Sequence, residues 1–249
     1  MKKVLRIPAV VILFSFLIVL SASSSDLALD DVIKNIQSNQ SKIKDMYAET
    51  TTIITSNIKM PGAAEKGPQK MVQKGKMWSK GEGKSKIEMI SPMKQVTITN
   101  GDKMAVIYPE TGQKVIQDLK KLRDKSGMSD ASKQMSLEKA KEFFDLSAKA
   151  KDNGYVITGI PKKENKFLDK MEFYVDGEKW VPIKILLYGP KDKLISQSEI
   201  EYQKISDVWV PVKNLSNIST PAGTMKVEME FSNIKINKGI SDKEFNIGE

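Results

Sequence analysis

Apolar residues first recur at three- and four-residue spacing. Over residues 26–44, Leu29, Val32, Ile33, Ile36 and Ile43 fall on one side, which predicts an amphipathic helix. Asp26, Asp30 and Asp31 sit early, where the helix dipole favours acids. The period then changes. Residues 46–60, MYAETTTIITSNIKM, are rich in Thr and Ile and predict a long strand. Gly and Pro mark residues 61–69 as a loop. Short strands follow at 70–79, 84–90, 95–99, 103–108 and 113–118. They are separated by Gly81-Glu82-Gly83, by Asn100-Gly101-Asp102 and by Pro109-Glu110-Thr111-Gly112. Hairpins in sequence describe an antiparallel meander rather than a parallel sheet with crossover helices.

Residues 119–132 carry charge, Gly and Ser with little periodicity, and read as a basic loop. Over 133–148 a helix is expected, with Leu137, Ala140, Phe143, Phe144 and Ser147 on one side. It is either ordinary packing on the sheet or a lid over an opening, hinged at 119–132. Beyond it the chain reads as strand at 154–160, 169–176, 180–189, 193–205, 209–219 and 223–236. In the last, Met225, Val227, Met229 and Phe231 alternate with Lys226, Glu228 and Glu230, giving one apolar and one solvated face. The apolar parity shifts to Ile234 and Ile236, so a bulge is expected near Ser232-Asn233. The fold class is α+β, with one large curved antiparallel sheet.

The N-terminus changes the domain boundaries. Lys2, Lys3 and Arg6 precede an apolar run from Val10 to Leu20, followed by Ser21, Ala22 and Ser23. This three-part pattern is that of an export signal. The run is short for a span, which needs about 20 apolar residues. Cleavage is expected near Ala22/Ser23, leaving residues 24–249 as a single exported domain. The alternative is a retained anchor.

Composition removes most enzyme chemistry. Among 249 residues there is no Cys and no His. Disulfides, thiolate metal sites, imidazole bases and Ser-His-Asp arrangements are therefore excluded. The net charge is +9, yet only Arg6 and Arg123 are arginines, and the lysines are dispersed among acids. Nucleic acid, which favours arginine forks and a basic patch, is not an expected partner. Ser41/Lys44, Ser91/Lys94 and Ser136/Lys139 repeat an S-x-x-K spacing by chance, without the companion elements of the Ser–Lys enzymes. Asp30/Asp31 and Glu228/Glu230 read as a helix start and a solvated strand face. The latter kind of pair leaves a carboxylate hydrolase as a weak third reading. No catalytic residue, metal or cofactor is expected.

What the chain does carry is soft apolar surface. It has 13 Met against 8 Phe and 3 Trp, and Met adapts to irregular or variable partners. Met89, Met104, Met171, Met225 and Met229 all fall on expected strands, which favours a shared apolar sheet face. Such a face must be covered by helices or by a ligand.

The block from Gly75 to Leu119 resembles the LolA-type periplasmic lipoprotein carriers and their relatives. Gly75-Lys76-Met77-Trp78-Ser79-Lys80 is similar to the family's G-x-L/M-W-x-K strand, and Asn100-Gly101-Asp102-Lys103-Met104 with Tyr108-Pro109 is similar to its D-G-K hairpin and turn. Trp180-Val181-Pro182-Ile183-Lys184-Ile185 and Val208-Trp209-Val210-Pro211 resemble strand openings of the wider superfamily. Ile240-Ser241-Asp242-Lys243-Glu244-Phe245 resembles its ending. Gly81 stands where the carriers commonly have arginine, and Ala105 where an aromatic is frequent. The resemblance implies an open half-barrel with helices covering its concave face. It also implies a monomeric periplasmic carrier that binds acyl chains of lipoproteins or lipids between an inner-membrane donor and an outer-membrane acceptor. A binding or sensor domain regulating an envelope response through a protein partner is the alternative. Candidate cavity and lid residues are Trp78, Met89, Ile98, Met104, Val106, Leu137, Phe143, Phe144, Met171, Phe173, Met225, Val227, Met229 and Phe231. Carrying one 16-carbon chain through water means shielding roughly 12 kcal/mol of apolar exposure at ~0.8 per CH₂, which needs a cavity and no covalent chemistry.

Overall fold

The computed structural model describes residues 27–58, 67–81, 83–121 and 137–248. Helix α1 (Leu29–Gln40) leads into strands β1 (Asp45–Ser56), β2 (Gln69–Lys80), β3 (Lys84–Ser91), β4 (Gln95–Asn100), β5 (Lys103–Tyr108) and β6 (Gln113–Asp118). Helix α2 (Leu137–Phe143) is followed by β7 (Phe144–Lys151), β8 (Gly154–Pro161), β9 (Lys170–Asp176), β10 (Val181–Gly189), β11 (Lys193–Ile205), β12 (Val208–Thr220) and β13 (Gly223–Ile236). A 3-10 turn at Asp242–Phe245 ends the fold.

All 13 strands join one antiparallel, curved and unclosed sheet in the order β6-β5-β4-β3-β2-β1-β13-β12-β11-β10-β9-β8-β7. Every neighbour pair is a sequence hairpin except β1 with β13, which sews the two halves together. The turn residues explain the hairpins. Gly101 takes a φ of 61°, as the Asn-Gly turn requires, and its N–H donates to the Gly83 carbonyl at 2.9 Å. Gly75 is needed for a different reason: a Cβ there would lie 2.6 Å from the Glu88 carbonyl oxygen.

The expected bulge in β13 is present. Pairing jumps from Phe231↔Thr50 and Ser232↔Glu49 to Lys235↔Tyr47, so Asn233 and Ile234 oppose Ala48 alone. Asn233 adopts a φ of 49°, and its side-chain amide donates to Glu49 Oε2 at 2.9 Å.

The expected helix over 133–148 is corrected. Helix α2 stops at Phe143, and Phe144–Lys151 is the edge strand β7, paired with β8 from Phe144↔Pro161 to Lys151↔Gly154. Leu, Ala and Lys favour helix by propensity, but F-D-L-S-A-K-A-K also alternates with period two. Leu146, Ala148 and Ala150 pack toward the core while Ser147, Lys149 and Lys151 are exposed. Pairing with β8 decides between the two. Of the expected basic loop and hinge at 119–132, residues 119–121 are helical instead, and the rest lies outside the described residues, as do residues 1–23.

The core is asymmetric. Val32, Ile33 and Ile36 of α1 bury themselves against Tyr155 and Ile157 of β8 and Val175 of β9, and Trp180 stacks on Tyr155 at 5.5 Å between centroids. Asn39 locks the helix end to β12: its Nδ2 donates to the Trp209 carbonyl at 3.1 Å, and the Trp209 N–H donates back to its Oδ1 at 3.2 Å. The C-terminal turn lies against β3 and β4. There Phe245 is fully buried, and the cross-strand partners Ile98 and Ala105 are buried beneath it. Asp242 bonds Lys80 and Lys84 at 3.0 and 3.1 Å, and Glu244 bonds Lys86 at 2.9 Å.

Candidate functional site

Residues directly opposite one another in an antiparallel pair share a face, so the register sorts every strand residue to one of two sides. The inner side is the one α1 packs on. The outer side carries the charges. On the outer side of the central strands, Lys226 pairs with Glu228 at 2.7 Å and Lys213 with Glu230 at 3.4 Å. The hydrogen bond from Lys226 holds the Glu228 carboxyl below its ordinary range.

On the inner side, Met225, Val227, Met229 and Phe231 of β13 stand opposite Ser56, Ile54, Thr52 and Thr50 of β1, which in turn oppose Gln69, Met71, Gln73 and Gly75 of β2. The row continues outward. Ala48 faces Met77, then Ile87, Thr97, Val106 and Val115, while Gly75 faces Met89 and Thr99 faces Met104. Most of these apolar side chains are half-buried, and Met71 and Ile87 are 41% and 52% exposed. Helices α1 and α2 pack on the β7–β12 half, while residues 119–121 begin a helical turn after β6, with Leu119 buried. An apolar surface therefore runs across β13, β1, β2, β3 and β5.

Small polar groups interrupt it. Ser198 and Ser216 Oγ atoms are 2.7 Å apart, and Ser216 donates to Asn214 Oδ1 at 3.2 Å. Thr52 is buried two strands away. Tyr202, two residues beyond Ile200 on β11, has its hydroxyl pKa pushed up by burial and stays neutral. These are donors and acceptors without charge, suited to an ester or amide and unsuited to a carboxylate or phosphate. Where the β10–β11 and β12–β13 turns meet the ends of β1 and β2, a cleft of about 470 Å³ opens at the end of the sheet; Ser196, Ile218 and Met225 reach it from the inner side, and Thr55, Gln197, Asn217 and Lys226 from the outer side.

Of the candidate residues, Met89, Met104, Val106, Met225, Val227, Met229 and Phe231 come together on this open inner surface. Met171 and Phe173 share the same side but lie in the half that α1 packs on: Phe173 packs against the α1 cluster, and Met171 fills the space beside Gly159. Leu137 packs against the same cluster from α2, while Phe143 and Phe144 are half-buried at the helix–strand junction. Trp78 and Ile98 are on the outer side. Trp78 packs on Tyr47 at 5.3 Å with the Lys86 ammonium 4.6 Å above its ring, and Ile98 is buried in the layer beneath Phe245. Neither adjoins the inner surface, because each pairs with outer-side residues, Lys86 and Ala105 among them. Ile54, Met71, Met77 and Ile87 were missed. Their sign in the sequence is alternation within β1–β3, whose absolute side only the pairing with β13 reveals.

Among the described residues no cluster of three Asp or Glu side chains is placed to hold a metal ion, and no helix is long and apolar enough to cross a membrane.

No curated protein matches the chain. Solved structures do. A DUF1329 family protein from Desulfovibrio piger superposes with a TM-score of 0.64 at 17% identity, covering 87% of this chain and 95% of its own. A putative outer membrane lipoprotein-sorting protein domain from Vibrio parahaemolyticus gives 0.59 at 16% identity, covering 87% and 97%. A LolA superfamily protein from Nitrosomonas europaea gives 0.57 at 13% identity, covering 88% and 98%. A family model described as "Uncharacterized protein" matches residues 124–248. Since that match takes in half of the chain, the protein belongs to this family, and its fold is the LolA-like one.

Proposed function

We propose that this chain is a non-enzymatic envelope protein that holds acyl chains of lipids or lipoproteins on its inner sheet surface and carries them between membranes. The observation that carries the reading is the half-exposed ladder of Met, Val, Ile and Phe on β13, β1, β2 and β3, which on β13 stands opposite the charged Lys226, Glu228 and Glu230. A water-exposed apolar surface of this extent needs an occupant. From Met225 to Phe231 it runs roughly 20 Å at 3.4 Å per residue, enough for one acyl chain, which spans about 15 Å of a ~30 Å bilayer core. Methionine side chains suit cargo that must be released as well as held. The neutral Ser198–Ser216–Asn214 chain suits an acyl ester. Helices α1 and α2 are the cover for one half of the concave side. Export through cleavage near Ala22/Ser23 belongs to the same reading, since a carrier works outside the cytoplasm.

The test is a lipid extract of protein purified from its own envelope, analysed by mass spectrometry. Near-stoichiometric acyl lipid or acylated peptide is expected. Protein free of lipid that also fails to take up a fluorescent fatty acid overturns the proposal. The same sample gives an intact mass, and one retaining residues 1–20 refutes cleavage.

A further inference from the structure

Phe167, in the loop between β8 and β9, is 79% exposed, more than any other large apolar side chain among the described residues. The loop that carries it is held firmly. Asn165 Oδ1 accepts from the N–H groups of Phe167 and Leu168 at 2.9 and 3.2 Å. The Asp169 N–H donates to the Tyr188 carbonyl at 2.8 Å, and the Lys162 N–H to the Phe143 carbonyl at 2.9 Å. The Phe167 carbonyl abuts Gly189 beside Ile195. The loop thus stands against the β10–β11 turn, whose Leu194 is 41% exposed and, with Ile195, lines the cleft at that end of the sheet.

Lysines surround this tip. Two are engaged: Lys162 donates to the Lys141 carbonyl at 2.6 Å, and Lys170 lies 4.2 Å above the Tyr188 ring and 3.3 Å from Glu172. Lys163, Lys166, Lys191 and Lys193 are exposed and pair with no acid among the described residues. Of the nearby acids, Asp192 is already held by Lys170 at 3.7 Å, leaving Glu164 and Asp169.

We propose that the β8–β9 loop is a membrane-docking tip, placing Phe167 in the headgroup layer of an anionic bilayer with the four free lysines on its surface and the cleft mouth facing the lipid. One rigidly presented aromatic is too little for a protein interface, which takes about 800 Å² from each partner, but it suits insertion at a bilayer interface. Ammonium groups without arginine forks match a diffuse negative surface rather than a shaped anion. A second copy of the chain would set lysine against lysine.

Because the chain lacks cysteine, a single probe can be placed at will in the full-length protein. An environment-sensitive nitrobenzoxadiazole is attached at Glu164→Cys on the loop, and separately at Glu178→Cys in the β9–β10 turn at the opposite end of the sheet. Each protein is titrated with phosphatidylglycerol-rich vesicles and with phosphatidylcholine vesicles. The loop probe is expected to brighten severalfold and shift blue with the anionic vesicles only, and the distant probe to stay unchanged. Neutralising Lys163, Lys166, Lys191 and Lys193 to Gln weakens the response at least tenfold, added salt does the same to the unaltered lysines, and Phe167→Ser weakens it about fivefold. Equal responses at both probe positions, equal responses to both lipids, or indifference to salt and to Phe167→Ser overturn the proposal. The docking tip stands or falls apart from the acyl-chain reading, since fatty-acid uptake by Phe167→Ser in the absence of vesicles is expected at the original level.

Discussion

Val227→Asp is the sharpest perturbation of the inner surface. Val227 lies midway along β13 between Met225 and Met229, with Ser216 and Ile54 as its cross-strand neighbours. An acyl chain lying along Met225–Phe231 has to pass over it. A carboxylate covered by hydrocarbon costs about 2.5–3.5 kcal/mol on membrane-insertion scales, which is a loss of roughly a hundredfold in affinity. In the empty protein the side chain is half-exposed and a carboxylate there keeps its water, so the melt is expected to fall by only a few degrees. The neighbouring change Lys226→Gln touches the opposite side of the same strand and is expected to leave uptake unaltered. Displacement of a fluorescent fatty acid, run beside a thermal melt, reads both. If Val227→Asp binds like the original protein, or if Lys226→Gln weakens binding equally, the inner surface is not where acyl chains lie.

Two further outcomes concern the outer side. Phe245→Ala removes a fully buried ring from the layer over β3 and β4 and is expected to cost about 3–5 kcal/mol, read by urea unfolding, while fatty-acid affinity changes little because Phe245 is on the far side of the sheet. The Asp242 carboxyl is held below its ordinary range by hydrogen bonds from Lys80 and then Lys84. Its folded-state pKa is therefore the lower one, so its stabilisation is complete above the unfolded value of about 3.9 and disappears as pH falls through the folded one. The stability difference between the protein and Asp242→Asn should accordingly shrink toward zero in that acid window. A difference that grows there contradicts the assignment.

Much of the sheet was legible because antiparallel hairpins write themselves locally. Asn100-Gly101-Asp102 and Pro109-Glu110-Thr111-Gly112 each mark a turn that the structure contains, and the parity change after Phe231 marks a real bulge. Residues 144–148 read as helix because Leu, Ala and Lys satisfy a helical and an alternating pattern at once, and only the β8 partner separates them. Trp78 and Ile98 lie on the outer side for a different reason. Alternation tells which residues share a side within one strand, but not which side of the sheet that is. The pairing of β1 with β13 supplies the missing reference, and it is invisible to any local reading.

That pairing also places the candidate site where the chain is least able to build it early. Ile54 meets Val227 across about 170 residues of sequence, in the strand pair with the widest sequence separation among the described residues. Contacts of such separation bear the largest loop-closure entropy and form slowly. Until they form, β13 and β1 are both free edges, and the Met225–Phe231 ladder is an exposed apolar strand of the kind prone to add to other chains. The outer side answers this. Lys226, Glu228 and Glu230 alternate with the apolar residues, so a partner strand stacked in register sets Lys226 against a like charge. Asn233 then kinks the strand with its left-handed backbone. The same alternation that gives β13 an acyl-binding side thus gives it the charges that keep an unpaired β13 from adding a second copy of itself. Apolar cargo and resistance to aggregation are met by the two sides of one strand.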